Sequence, residues 1–315
     1  VSKNTCLAAL ILFLFMTGLW ASESPLSTIE NMRNRHEQSK AFQQYFIHNI
    51  QPQLTAPQTQ PIDKQRLSSL LKDIEIIAFY TQDKKIARAH LDLFQKAYKQ
   101  GLTNTDNTLR AYGTLLYNRL FSEAEGFYRA HPGSGLSPPP VIITRPISTF
   151  ENGTVTIYFP AHNQPNTFEE KAINPLQGSF LLVLAHPLCH FCFRAATAIG
   201  QNADLVAFMK QHALWLSPPD ANLSWQAFNQ WNQRFPYARI KVIKYLRDFP
   251  LLTSWGTPTF YVVSNGQIVD KLVGWPDAAQ LQKLKRLIQK HFPKAAPARD
   301  PQSYSIKAET NSAAL

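Results

Sequence analysis

The sequence predicts two unlike halves: an all-α N-terminal region, then an α/β domain with a central mixed sheet flanked by helices. Three observations predict it. Apolar residues recur at helical spacing from about Thr28 to His131. A Pro- and Gly-rich stretch, His131-Pro132-Gly133-Ser134-Gly135-Leu136-Ser137-Pro138-Pro139-Pro140, then breaks the pattern. Beyond it, short β-branched and aromatic runs alternate with helical stretches. With 315 residues, 44% hydrophobic and 12% aromatic, the chain is long enough for two cores of ordinary globular composition.

The first residues read as a signal peptide over 1–21. Lys3 supplies a positive start, Cys6 to Gly18 an apolar run, and Leu19-Trp20-Ala21-Ser22 a small-residue exit with cleavage expected after Ala21. The run is too short for a comfortable membrane span, and an uncleaved anchor is the alternative. Export places the protein in the periplasm or outside the cell.

Residues 22–131 are expected to form the helical domain. Pro61-Ile62-Asp63 opens a segment with Leu67, Leu70, Leu71, Ile74 and Ile77 in register; Asp83 opens another through Ile86, His90, Leu91 and Phe94; Asp106 opens a third with Leu109, Tyr112 and Leu115. Antiparallel helix pairs of this length resemble tetratricopeptide hairpins, but no signature of that repeat recurs, so a bundle is as well supported. His90 falls on the apolar face and is expected in the core. This half contains no cysteine; its expected role is protein binding or dimerisation. Residues 132–140 form the linker.

The α/β domain is expected over 141–293. Val141-Ile142-Ile143-Thr144 and Thr154 to Phe159 read as strands of a leading β-hairpin around Asn152-Gly153. Phe180 to Ala185 is an apolar run suited to a buried strand, and Phe193 to Ile199 is helix-compatible. Ala213-Leu214-Trp215-Leu216 reads as a strand, Leu223 to Trp231 as a helix with 223, 227, 228 and 231 on one face, and Ile240 to Ile243 as a strand. Thr259 to Val263 and Ile268 to Val273 flank Asn265-Gly266, a strong hairpin turn because both positions take φ > 0. A helix from Ala278 to His291 follows, and the small, polar tail over 294–315 is expected to be disordered.

Between the strand at 180–185 and the helix at 193–199 stands Cys189-His190-Phe191-Cys192. With the signal peptide set aside, these are the only cysteines left. A helix N-terminus favours thiolate over thiol, which makes Cys189 a nucleophile near neutral pH. His190 is a further candidate for stabilising that thiolate, by charge and hydrogen bonding.

Strand, C-x-x-C, helix, then Thr257-Pro258 opening a hairpin that ends at Gly274 before a last helix, resembles the thioredoxin superfamily over residues 176–292. The α/β element inserted between the C-x-x-C helix and Pro258 is similar to the TlpA/ResA branch of periplasmic proteins, with the TraF-like proteins of conjugation systems as the second candidate. The resemblance implies catalytic Cys189 and Cys192, a cis Pro258 against them, and a Thr257 whose backbone docks the substrate strand. It implies no cofactor. Two departures matter: Leu188 replaces the usual Trp, and Val183 stands where thioredoxin has a buried Asp, so no local proton acceptor for Cys192 is visible in the sequence.

The implied function is exchange of disulfides with protein thiols and disulfides in the envelope, with a membrane or periplasmic redox partner restoring the pair. The sequence leaves the direction of electron flow open. Its competitor is a non-catalytic assembly or binding factor of a conjugation or secretion complex, in which the pair is a structural bond; so short a loop stabilises little, at the bottom of the ~2–4 kcal/mol range. Zinc is disfavoured, because His186, Cys189, His190 and Cys192 cannot readily converge on one ion across a helix start. The formal charge of +11 reflects scattered basic residues. The densest group, Lys283 to Lys294, lies at helical spacing, a solvated face rather than a nucleic acid site.

Overall fold

The computed structural model describes residues 25–55, 63–144, 153–174 and 177–293. The expected signal peptide with its Cys6, Pro61-Ile62, Asn152 and the expected tail at 294–315 lie outside the described residues.

Side-chain caps set the helical half. After α1 (Pro25–Glu30), Asn34 caps α2 (Arg35–Tyr45), which runs through a π-turn at Phe46–Ile50 into α3 (Gln51–Thr55). Asp63 starts α4 (Lys64–Thr81) by accepting the Arg66 N–H at 2.9 Å, and Asp83 starts α5 (Lys84–Lys99) by accepting the Lys85 N–H at 2.7 Å. The next helix, α6 (Thr105–Tyr117), opens at Asn104 rather than Asp106, because Asn104 and Asn107 cap each other's backbone N–H reciprocally. With α7 (Phe121–Ala130), these helices enclose one core in which Phe42, Ile74, Ile77, Phe94 and Leu115 are fully buried. Burying each such side chain is worth ~1.5–3 kcal/mol.

His90 sits inside that core, its Nδ1 without a hydrogen-bond partner, and burial lowers its pKa from 6.5 to about 4. Because the folded value lies below the ordinary one, the unfolded chain takes up the proton first as pH falls. Stability present above 6.5 is therefore lost between 6.5 and about 4, by ~3 kcal/mol. Urea midpoints measured across that window should fall steeply for the wild type and far less for His90→Leu; equal slopes would show that His90 does not drive acid lability.

The second half contains a mixed sheet in the order β1-β3-β2-β6-β5-β4-β7-β8. Its strands are β1 (Val141–Thr144), β2 (Val155–Pro160), β3 (Thr167–Ile173), β4 (Ser179–Leu184), β5 (Ala213–Ser217), β6 (Ile240–Ile243), β7 (Thr259–Ser264) and β8 (Gln267–Val273). Strand β4 runs parallel to β5 and antiparallel to β7, and β7–β8 closes through Asn265 and Gly266 at φ +48 and +76. Period-two alternation sorts the central strands: Leu181, Val183, Trp215, Phe260 and Val262 face one core, while Leu182, Leu184, Leu216, Tyr261 and Val263 face the other.

One expectation is corrected. The leading hairpin does not pair 141–144 with 154–159: β2 pairs antiparallel with β3, and β1 lies parallel on the outer edge of β3. The prolines before Val141 place it beside Asn166, whose carbonyl accepts the Val141 N–H at 2.8 Å, and this sets β1 against β3. The expected flanking helices are present, and among the described residues they pack on one face of the sheet. Residues of α8 (His190–Gly200), α9 (Ala203–His212), α10 (Trp225–Arg234) and α11 (Ala279–His291) all join the same core, and the opposite face is closed by Phe249, Leu252 and Trp255 after a 3-10 turn at Leu246–Asp248.

The halves meet through a buried cation. Arg119, at φ +60 between α6 and α7, donates to the carbonyls of Ile243 and Lys244 at 3.0 and 3.3 Å and lies 5.5 Å from the Tyr158 ring centroid. Gln82 bridges likewise, donating to Tyr117 O at 3.2 Å and accepting the Leu246 N–H at 2.6 Å. The 132–140 stretch is docked too: Tyr112 Oη donates to Ser137 O at 2.7 Å, and Pro139 and Pro140 are buried.

Candidate active site

Strand β4 ends at Leu184, and a turn whose Cys189 N–H donates to His186 O at 3.0 Å brings the chain to α8. Cys189 is the N-cap: its extended backbone leaves Sγ to accept the Cys192 N–H at 3.2 Å, in the place where Ser or Asp commonly sits. Cys189 is half-buried and Cys192 fully buried, both as free thiols. The Thr257–Pro258 bond is cis, and Cys189 Sγ lies 3.6 Å from the Thr257 carbonyl oxygen. Pro258 continues into the register through its carbonyl, which accepts the Gly274 N–H at 2.8 Å. The fold thus brings Cys189, Cys192, Thr257 and Pro258 to one point.

The two thiols are poised unequally. The hydrogen bond from Cys192 lowers the Cys189 pKa most, to about 5 against burial, helped by the Thr257 side chain and the backbone N–H groups of Cys192 and Phe191. The same contact, with burial, drives Cys192 strongly upward. His190 is not among the groups that lower Cys189; it is exposed, with its ring 5.8 Å from that of Phe191. Its proposed tuning role is taken instead by Cys192 and backbone N–H donors of the first helical turn.

One pair of residues escaped the sequence reading. Asp220, in the turn after β5, accepts from His186 Nε2 at 2.7 Å through Oδ2. His186 Nδ1 accepts the Leu188 N–H at 3.2 Å, which leaves Nε2 to carry the donated proton. The His186 backbone in turn hydrogen-bonds the Cys192 sulfur. Asp220 Oδ1 also accepts the N–H groups of Asn222, at 2.8 Å, and of Leu223. These donors and nearby Arg119 hold its carboxyl below the usual range despite burial. Val183 is fully buried and apolar, so the acid of this region, the part-buried Asp220, comes from a different element. No local spacing links residues 186 and 220; only the parallel β4–β5 pairing does. Asp220→Ala leaves these donors unpaired and should cost ~2–4 kcal/mol, read as a lower urea midpoint, whereas an unchanged midpoint would show that the turn holds itself.

No family model and no curated protein matches the chain. Among solved structures it is similar to a putative thioredoxin from Neisseria meningitidis, with TM-score 0.30 and 15% identity over 45% of this chain and 93% of that one. It is also similar to the pneumococcal exposed lipoprotein thioredoxin Etrx1 from Streptococcus pneumoniae, with TM-score 0.26 and 19% identity over 37% and 91% of the two chains. Both likenesses are slight. The features that the resemblance implies are present in this chain's own geometry, the C-x-x-C at the β4–α8 junction and the cis proline before β7.

Proposed function

We propose that the protein is a thiol-disulfide oxidoreductase acting on protein substrates through Cys189 and Cys192. The observation that carries the reading is a half-buried thiol with its pKa lowered to about 5, standing in front of a buried second thiol and 3.6 Å from the Thr257 carbonyl. A structural bond needs no such asymmetry. In the reducing direction the Cys189 thiolate attacks one sulfur of a substrate disulfide, forming a mixed disulfide and releasing the other sulfur as thiolate, which takes a proton from solvent. Cys192 then attacks the Cys189 sulfur of the mixed disulfide, forming the intramolecular disulfide and expelling the second substrate sulfur, which takes up the proton that Cys192 gives up; two electrons have passed to the substrate. The oxidising direction is the reverse, and Thr257 and Pro258 hold the substrate strand in both.

The site of action is the periplasm or the cell exterior, on the strength of the N-terminal signal-like segment, and a dithiol or disulfide partner of the envelope restores the pair. Turnover tests the reading. Repeated transfer of electron pairs between a model disulfide peptide and a dithiol supports it; a pair that oxidises once and stays closed supports the assembly-factor alternative. The reduction potential then gives direction: a value near about −270 mV marks a reductase and one near about −120 mV an oxidase.

A further inference from the structure

Where β4 leaves the sheet, two successive residues are tied to the neighbouring strand and the turn after it. The Ala185 N–H donates to Leu216 O of β5 at 2.9 Å, and His186 Nε2 donates to Oδ2 of Asp220, beyond the end of β5, at 2.7 Å. The His186 ring also accepts the Leu188 N–H on Nδ1 at 3.2 Å, the contact that an Asn or Asp side chain commonly makes with the backbone two residues on. Main-chain atoms of the same His186 meet both thiols. Its carbonyl accepts the Cys189 N–H at 3.0 Å, and its backbone hydrogen-bonds the Cys192 sulfur in the sense that favours thiolate, as an N–H donor does.

We propose that Asp220 is a positioning residue for the second step of the exchange: by fixing the His186 ring it holds the His186 N–H against the Cys192 sulfur as that sulfur becomes the attacking group. The inference rests on the thiol-disulfide reading and adds a residue to its chemistry. In this step the S–H bond of Cys192 breaks, the Cys189–Cys192 bond forms, and the bond from Cys189 to the substrate breaks, with the departing substrate sulfur taking up the proton. Negative charge passes through the Cys192 sulfur, which is fully buried, and a donor already in place there is worth more than one in water. The first step makes no such demand on the turn, because the Cys189 thiolate is held by Cys192, Thr257 and the Phe191 N–H.

The ring itself is not the proton acceptor. Both of its nitrogens are engaged, Nδ1 by the Leu188 N–H and Nε2 by Asp220, so its effect on Cys192 passes through the backbone. Asp220 decides the tautomer: a carboxylate facing Nε2 requires the proton there and leaves the Nδ1 lone pair for Leu188. The carboxylate is held in turn by the N–H groups of Asn222, at 2.8 Å, and of Leu223, both on Oδ1, and by the charge of Arg119 from the helical half. An Asn at 220 keeps the Oδ1 acceptor but turns a donor toward Nε2. The ring must then leave residue 220 or switch tautomer, and a switched ring sets its Nδ1–H against the Leu188 N–H.

The test uses the full-length reduced protein and glutathione disulfide, with acid quenching and mass spectrometry following the formation of the Cys189 adduct and its loss as separate rates. Asp220→Asn and His186→Gln, each checked for native melting, should slow loss of the adduct about tenfold and leave its formation within about twofold of the wild type. Gln at 186 reaches Asp220 as Nε2 does but brings Leu188 no acceptor in place of Nδ1, so it carries the test if Asp220→Asn does not fold. Adding Asp220→Asn to His186→Gln should cause little further slowing, since the one acts through the other. Long-range 15N spectra should place the imidazole proton on Nε2 in the wild type and show that assignment altered in Asp220→Asn. Adduct formation and loss slowed alike, neither rate changed, or the two losses multiplying in the double variant would each overturn the proposal and leave the redox reading standing. A wild type that forms no adduct defeats the redox reading, and the proposal with it.

Discussion

Cys189→Ser lowers the rate of reduction of glutathione disulfide by ~10³-fold or more, because no other thiol among the described residues is both ionised and reachable. Cys192→Ser has a different outcome. The attacking sulfur keeps its helix-end N–H donors, so the first step proceeds and the protein accumulates as a mixed disulfide that mass spectrometry detects as an adduct on Cys189. The roles are reversed if the serine at 189 permits the adduct and the serine at 192 prevents it. The Cys192 variant also removes the largest cause of the lowered Cys189 pKa. Its adduct should therefore form more slowly at pH 5 to 6 than the wild-type mixed disulfide, and the deficit should shrink as pH rises.

Alkylation of the reduced wild type by iodoacetamide follows the thiolate, so its rate rises about tenfold per unit at low pH and levels off above the Cys189 pKa of about 5. Cys192 stays unlabelled across neutral pH, being buried and pushed strongly upward. The same shift is linked to stability. The folded value lies below the ordinary 9.0, so the unfolded chain holds the proton at pH values where the folded chain has released it. Stabilisation of the dithiol form is therefore fully present above about 9, shrinks as pH falls, and is gone below about 5. Cys189 is partly exposed, which screens the effect, so direction rather than size is the test. The gap in denaturation midpoint between disulfide and dithiol forms should move in favour of the dithiol as pH rises from 5 to 8, with a more oxidising couple as the result. A thiol midpoint near 9 would show that the first turn of α8 and Cys192 do not stabilise the thiolate.

What the sequence determined by itself is local or periodic. Apolar spacing and capping Asp63 and Asp83 place α4 and α5, because a cap acts within three residues of itself. Asn265-Gly266 places the β7–β8 turn for the same reason, and the strand-to-helix change around Cys189 puts that thiol on a helix N-cap. The proximity of Pro258 to Cys189 was legible only through resemblance, since the partners lie far apart in the chain. Tertiary structure alone decided the rest. The pairing of β1 with β3 depended on where the docked 132–140 stretch delivers Val141, and strand propensity does not encode a partner. The tuning of Cys189 passed from His190 to Cys192 because His190 faces solvent while Cys192 folds back one turn beneath it. His186–Asp220 and Arg119 at the carbonyls of Ile243 and Lys244 join residues that no periodic signal relates. Such contacts form only once the fold has brought distant elements together and their polar groups, taken from water, need partners.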